Sequence, residues 1–87
     1  MKYRSRSGVV GEILTNARQL EGVTKARIMF NAYLSFARLK EYLAILLEKG
    51  LLEYMPESNK HRIIPKGVRM LDAWKKVSEF LVEVPKA

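Results

Sequence analysis

The chain has 87 residues and a formal net charge of +7, from 16 basic and 9 acidic side chains. This length suits one domain and leaves no room for a second. A chain of this size buries only about 60–65% of its unfolded surface, so a partner subunit would help to stabilise it. The absence of cysteine excludes a disulfide framework and a thiolate metal site. No apolar run approaches the roughly 18 residues of a membrane span, so we expect an intracellular protein without membrane, metal or cofactor.

The positive charge is distributed unevenly along the chain. Residues 1–30 carry a net +4, residues 31–57 a net −1, residues 58–69 a net +4, and residues 70–87 no net charge. The basic residues are therefore concentrated near the N-terminus and in the segment 58–69.

The first predicted helix runs from Ser7 to about Leu20, because apolar residues recur there at helical spacing, with Leu20 on the buried face. Before it, Arg4 and Arg6 alternate with hydroxyl-bearing residues. That pattern is typical of a solvated terminus, or of a basic arm that gains affinity for phosphates by releasing counterions. A very short strand is expected at residues 21–23.

Two helices of unequal length are predicted between Thr24 and Gly50. Thr24 and Ser35 each precede a helical pattern, and their hydroxyls can accept from the free N–H groups of a first turn. A turn is expected at residues 31–34, and Gly50 suits the left-handed residue that ends a helix. In the longer helix one leucine stripe is predicted to be buried: Leu39, Leu43, Leu46 and Leu47. The arrangement is typical of a helix-turn-helix.

A short hairpin, or wing, is predicted next. Residues 51–55 and 60–64 are extended runs, and residues 56–59 have turn chemistry. We interpret His61 as an ordinary wing residue, because the chain has no second histidine or cysteine that could join it in a metal site.

The last predicted helix begins at Pro65 and runs to about Val84. Its apolar residues are spaced 4, 3, 4 and 3 apart, as in a coiled-coil seam of two heptads. We expect a homodimer through this helix, and the alternative is a helix folded back on its own core. The predicted dimerisation residues are Trp74, Val77, Phe80, Leu81 and Val84.

Several segments together carry a resemblance to a known family: residues 24–29, 33–35, 39–43, 47–51 and 66–67. The chain resembles the archaeal winged helix-turn-helix DNA-binding proteins, including the small dimeric chromatin and regulator type with a C-terminal coiled-coil arm. The resemblance covers about residues 7–71. It implies a mainly helical α+β fold with three helices, a two-stranded wing that often pairs with a short strand before the second helix, and a long C-terminal helix.

The resemblance divides the chain into a basic arm (residues 1–6), a winged helix-turn-helix domain (7–65) and a dimerisation helix (66–87). One departure lies where such proteins often read Thr-x-Lys-Gly and this chain reads Ile64-Pro65-Lys66-Gly67. The capping hydroxyl is missing, but the fixed φ of Pro65 suits a first helical position.

The resemblance also implies where DNA would bind: the third helix in the major groove, and the arm, second helix and wing on the backbone. Arg38 is the outward residue of that helix that can make a bidentate bond to guanine, so backbone binding is better supported than sharp specificity. The cations have a simpler explanation as solubilising residues, or as a guard against pairing of the sheet edge. The predicted DNA-binding residues are Arg4, Arg6, Lys25, Arg27, Ser35, Phe36, Ala37, Arg38, Lys40, Lys60 and Arg62.

The sequence thus predicts a homodimeric protein that binds double-stranded DNA, as a transcriptional regulator or a chromatin protein, in the cytoplasm and associated with the nucleoid. The alternative is a winged helix that binds other proteins and no DNA. Single-strand or RNA binding is a smaller possibility, because aromatic platforms are not evident beyond Tyr3 and Phe36. An enzyme is the weakest interpretation: the chain has one histidine, one aspartate at Asp72, and no glycine-rich phosphate loop.

Overall fold

Helices and a small antiparallel sheet alternate along the chain. The computed structural model describes the backbone of residues 6–83 and the side chains of residues 6–77. The elements are α1 (Arg6–Asn16), β1 (Val23–Thr24), α2 (Lys25–Ala32), α3 (Phe36–Glu48), β2 (Leu52–Met55), β3 (Lys60–Ile63) and α4 (Pro65–Glu83). This mainly helical α+β architecture is the one that the sequence predicted.

The predicted caps of α2 and α3 are confirmed. The Thr24 hydroxyl accepts from the Arg27 N–H at 3.2 Å, and the Ser35 hydroxyl accepts from the Arg38 N–H at the same distance. Each bond satisfies one of the N–H groups that a first helical turn leaves without a partner. Gly50, with φ 71°, follows the last residues of α3, as predicted.

Two predicted boundaries are wrong. The predicted turn at residues 31–34 starts too early, since α2 continues to the fully buried Ala32 and ends where Tyr33 takes a left-handed conformation with φ 56°. The first helix ends at Asn16, and Leu20 is 89% exposed instead of buried. One reason is that the carbonyl of Ala17 accepts from the Ile63 N–H of β3 at 3.0 Å, which draws the chain out of the helix.

The leucine stripe of α3 is also partly wrong. Leu39, Leu43 and Leu46 are buried as predicted, but Leu47 is exposed and Tyr42 takes its place on the buried face. In a helix with 3.6 residues per turn, residues at i, i+3, i+4 and i+7 lie on one side. Leu39, Tyr42, Leu43 and Leu46 have this spacing, and their side of α3 faces the core.

The core joins α1, α2, α3, the start of β2 and the first half of α4. Its largest fully buried side chains are Ile13, Leu14, Ile28, Leu39, Leu46 and Leu71. Burying each of these contributes roughly 1.5–3 kcal/mol relative to leaving it exposed. Leu71 therefore fastens α4 to the domain.

The sheet has the strand order β1-β3-β2, with both pairs antiparallel. The short strand that was expected before α2 is present at Val23–Thr24, and Val23 pairs with His61 of the wing. In the wing itself Glu53 pairs with Arg62. Because β3 is the central strand, its pairing with the two residues of β1 attaches the wing to the domain.

The entry to α4 shows how the missing hydroxyl is replaced. Pro65 is the first helical residue, as predicted, and the Ile64 carbonyl accepts the first bond, from the Val68 N–H at 3.0 Å. Lys66 Nζ donates to the Lys49 carbonyl at the end of α3, at 2.8 Å. Further along α4, Trp74 packs on Gly11 of α1, so closely that a Cβ at Gly11 would lie 2.7 Å from the indole ring.

Candidate nucleic-acid interface

The N-terminal half of α3 projects its outer side chains into solvent. Phe36, Ala37 and Arg38 of the first turn are exposed, while Leu39 is buried. Lys40 and Glu41 continue the exposed surface. The sequence predicted this outward surface, and the structure brings its predicted members together on one helix.

Arg38 is exposed but has contacts within its own helix. Its Nε lies 4.0 Å from Glu41 Oε1, and the guanidinium carbon lies 5.9 Å from the centre of the Tyr42 ring. Both contacts are weak in water, so the guanidinium can exchange them for another acceptor. Arg38 also lines an open groove of about 640 Å³ together with Arg6, the first residue of α1. Arg6 therefore lies beside the exposed surface of α3.

The other predicted residues of this half-helix make different contacts within the protein. The Ser35 hydroxyl already accepts the Arg38 N–H as a helix cap. On the opposite flank from Arg38, Lys40 Nζ lies 5.6 Å from the centre of the Phe36 ring. The two cations of α3 thus stand on different sides of its exposed surface.

A second basic site lies where α2 meets the wing. Lys60 pairs with Thr24 across the sheet. It lines an open groove of about 250 Å³ with Arg27, and Glu21 contributes one carboxylate to the same groove. Lys25, at the start of α2, is partly buried. The structure therefore brings Arg27 of α2 and Lys60 of the wing together, whereas Arg62 lines a separate groove.

Arg62 is bound within the protein. Its Nε donates to Glu53 Oε2 at 2.8 Å, its Nη2 contacts the same oxygen, and its Nη1 donates to the Leu20 carbonyl at 3.0 Å. The two contacts with Glu53 join the strands of the wing, and the bond to the Leu20 carbonyl holds the wing to the segment after α1. We therefore assign Arg62 a structural role in the wing, in addition to any contact with phosphate.

His61 lies at the opposite face of β3 and is 3% exposed. Its ring packs against Tyr54 with centroids 5.0 Å apart, and Nδ1 has no hydrogen-bond partner within the described part of the chain. Burial, and secondarily the charge of Lys25, lowers the pKa of His61 below its ordinary value of 6.5. The ring is accordingly a neutral component of the sheet.

Sequence reasoning missed two exposed aromatic residues beside this surface. Phe30, in the last turn of α2, is 78% exposed, and Tyr33, the residue that ends α2, is 86% exposed. The available signal was their position among basic residues in a segment without acids. Apolar periodicity alone had suggested a plain turn there.

The structure describes some of the predicted dimerisation and arm residues and not others. Trp74 is half-buried against α1, and Val77 is 58% exposed. Arg4, Val84 and the side chains of Phe80 and Leu81 lie outside the described residues.

The described residues form neither a membrane-spanning helix nor a cluster of metal ligands. Within residues 6–83, none of the helices has the length and hydrophobicity needed to cross a bilayer. The same part of the chain contains no cluster of three histidine, cysteine or acidic side chains that could hold a metal ion.

Comparison with known families agrees with this geometry. The family model described as winged helix-turn-helix matches residues 3–81, from before α1 to near the end of α4. None of the curated proteins matches the chain. The match covers most of the chain, and a domain of this type points to DNA binding in general. The chain therefore belongs to the winged helix-turn-helix family.

Proposed function

We propose that this protein binds double-stranded DNA as a homodimer, with the N-terminal half of α3 in the major groove and the wing and basic arm on the backbone. The observation that carries the proposal is the exposed surface of α3 from Phe36 to Glu41, which the packing of Leu39 and Tyr42 leaves directed at solvent. A helix in this position is the part of such a domain that enters the major groove.

The cations around α3 support the proposal. Arg6 and Arg38 share one open groove, and Arg27 and Lys60 share another. Side chains that neutralise phosphates release counterions, and this supplies most of the affinity in binding without sequence preference. The same residues would fix the orientation of the protein on the duplex.

Specificity is expected to be modest. The Ser35 hydroxyl is used as a cap, Ala37 can offer only apolar contact, and Arg38 must leave Glu41 before it can bind a guanine. We therefore infer broad binding to duplex DNA, in a chromatin role or as a regulator of low selectivity, associated with the nucleoid. The role is one of binding rather than catalysis.

The proposed dimer would use α4. Met70 and Val77 are exposed apolar residues seven positions apart, which places them on one side of the helix. A two-fold axis through α4 would set the two α3 helices about 34 Å apart, one turn of DNA, or a multiple of that distance.

The experiment is an anisotropy titration of a labelled random-sequence duplex at several salt concentrations. We expect log affinity to fall linearly with log salt, by about 0.9 for each phosphate neutralised. Arg38→Ala should reduce the affinity and lower that slope by about one phosphate. Lys75→Ala on α4 removes the same charge away from α3 and is the matched control.

A second set of duplexes separates base reading from backbone binding. If Arg38 reads a base, Arg38→Ala changes the ranking of different sequences, and an equal loss on all of them shows a phosphate contact. Failure of the wild type to bind any duplex at low salt overturns the proposal. It would favour the alternative of a protein-binding winged helix, for which the exposed Ile45 and Leu47 on α3 offer apolar contacts.

A further inference from the structure

We propose that the junction of α2 and α3 also binds unpaired nucleobases by stacking, so that the protein holds single-stranded nucleic acid as well as duplex. The surface consists of Phe30 in the last turn of α2, Tyr33 at the end of that helix and Phe36 at the start of α3, which we call the aromatic turn. This inference goes beyond the proposed duplex binding, although the aromatic turn lies beside some of the same cations.

The exposure of the aromatic turn is the first observation. Phe30, Tyr33 and Phe36 are 78%, 86% and 54% exposed, within seven consecutive residues. An aromatic side chain offers 150–250 Å² of mostly apolar surface, which ordinarily stabilises a protein only when it is buried. None of these three rings belongs to the buried core, so much of their surface is available to a binding partner.

The backbone does not require an aromatic residue at this turn either. Tyr33 ends α2 with φ 56°, a left-handed conformation that glycine or asparagine adopts at lower cost. Its N–H is directed at the carbonyls of Met29 and Phe30, a bond that any residue other than proline could make. The phenol ring of Tyr33 is therefore explained neither by the helix end nor by packing.

The charge around the rings selects the partner. From Thr24 to Lys40 the chain has four basic residues and no acidic one. Lys40 Nζ lies 5.6 Å from the centre of the Phe36 ring, and Arg27 precedes Phe30 by three residues, one helical turn. Proteins that bind single-stranded nucleic acids combine aromatic rings, on which bases stack, with cations that contact the phosphates.

A duplex cannot use the aromatic turn in this way. Paired bases present their edges in the grooves, whereas their faces are covered by neighbouring base pairs. Stacking on Phe30 or Tyr33 therefore requires an unpaired strand, and the two kinds of binding can be measured separately.

The test compares three labelled probes of equal length: a mixed-sequence single strand, the same backbone with abasic sites throughout, and the matched duplex. The strand and its abasic counterpart carry equal phosphate charge, so the difference between them isolates the bases. We expect the base-containing strand to bind at least about fivefold more tightly, given the usual contribution of one stacked base. The strand is tested separately as DNA and as RNA, and the version that binds more tightly identifies the kind of nucleic acid that the protein holds.

The variants are Phe30→Ala and Tyr33→Asn, the second of which keeps a residue suited to the left-handed conformation. Each should weaken binding of the base-containing strand about fivefold or more, toward the abasic level. Neither should change the salt dependence, because stacking releases no counterions. Affinity for the duplex should stay within about twofold. Leu20→Ala, which removes an equally exposed apolar residue elsewhere, is the matched control.

Three results would overturn the inference: equal affinity for the abasic and base-containing strands, an equal loss on strand and duplex in the aromatic variants, or a change of oligomeric state in those variants. The last result, read by sedimentation, would assign the aromatic turn to contact between two copies of the chain. Because duplex binding is followed in parallel, failure of the stacking inference is distinct from failure of duplex binding.

Discussion

Arg62 shows how one side chain can connect three segments. It bonds Glu53 on the neighbouring strand and the Leu20 carbonyl after α1, and both carboxylate and guanidinium are partly shielded from water. A guanidinium bound in two directions is fixed in position. Arg62 therefore helps the pairing of β1 and β3 to hold the wing in place, and its loss would affect DNA binding indirectly.

We predict that Arg62→Ala lowers the free energy of unfolding by about 1 kcal/mol, as expected for a partly exposed pair with an additional carbonyl bond. Glu53→Ala should cost a similar amount. Urea denaturation of both single variants and the double variant measures their coupling. Purely additive losses would contradict a direct interaction between the two side chains.

His61 gives the fold a pH dependence of known sign. Burial, and then Lys25, lowers the pKa of His61 in the folded state below the value of 6.5 that it regains on unfolding. Below that pH the unfolded chain binds more protons, so stability is full above about pH 6.5 and falls as the pH drops toward the folded-state pKa. The slope contributed by one such residue cannot exceed about 1.4 kcal/mol per pH unit.

The measurement is thermal unfolding between pH 8 and pH 5, where few carboxylates titrate. Wild-type Tm should be level near pH 8 and fall below about pH 6.5. His61→Gln should be less stable at neutral pH, because it replaces a packed ring, but should show a shallower fall. Identical acid dependence in both proteins would show that His61 does not titrate in this window.

At the scale of elements, the start of α4 is held by close backbone contact with the start of the wing. A Cβ added at Gly67 would collide with the Leu51 carbonyl oxygen and would lie 2.7 Å from Ile63 Cγ1. The Leu51 carbonyl cannot move freely, because it also accepts from the Ile64 N–H at 3.3 Å. Glycine is therefore required there for close approach.

We predict that Gly67→Ala destabilises the fold by about 2 kcal/mol, since overpacking outweighs the gain in helix propensity. Denaturation followed by Trp74 fluorescence measures the loss. Gly50→Ala is a useful comparison, because an added Cβ there meets no atom within 4 Å and only the left-handed φ of 71° is unfavourable. A loss at Gly67 no larger than at Gly50 would contradict the steric explanation.

For the whole molecule, α4 divides into two parts that differ in their packing. Its first half packs on the domain through Leu71 and Trp74, whereas Val77 is exposed on the helix beyond that contact. The proposed dimer depends on this second part. It would double the number of cations presented to DNA and so increase the affinity without any new contact within one subunit.

We predict that Val77→Glu shifts the protein from dimer to monomer, because two charges would have to be buried in the seam. Sedimentation equilibrium measures the mass, and thermal unfolding at low concentration checks that the domain still folds. Lys76→Gln, one position away on the exposed helix, changes the net charge by the same one unit and is the control for the charge itself. A wild-type protein that is monomeric at high concentration would exclude the dimer.

Much of the fold was determined by local sequence. Thr24 and Ser35 cap their helices, Gly50 follows the third one, and Pro65 starts the fourth, as predicted, because each of these features depends on the chemistry of one residue and its immediate neighbours. The strand that pairs Val23 with the wing was expected from the resemblance of the chain to its family. The outward residues of α3 followed from helical periodicity.

Tertiary structure decided what periodicity could not. Leu20 and Leu47 fit a helical stripe but are exposed, because the β3 contact at Ala17 ends α1 and the core selects Tyr42 on α3. Arg62 counts as a wing cation in the sequence, and only the fold brings Glu53 and the Leu20 carbonyl to it. Local sequence therefore determined where the helices begin and which segments form helices or strands. Contacts between residues distant in sequence decided which side chains remain available for binding.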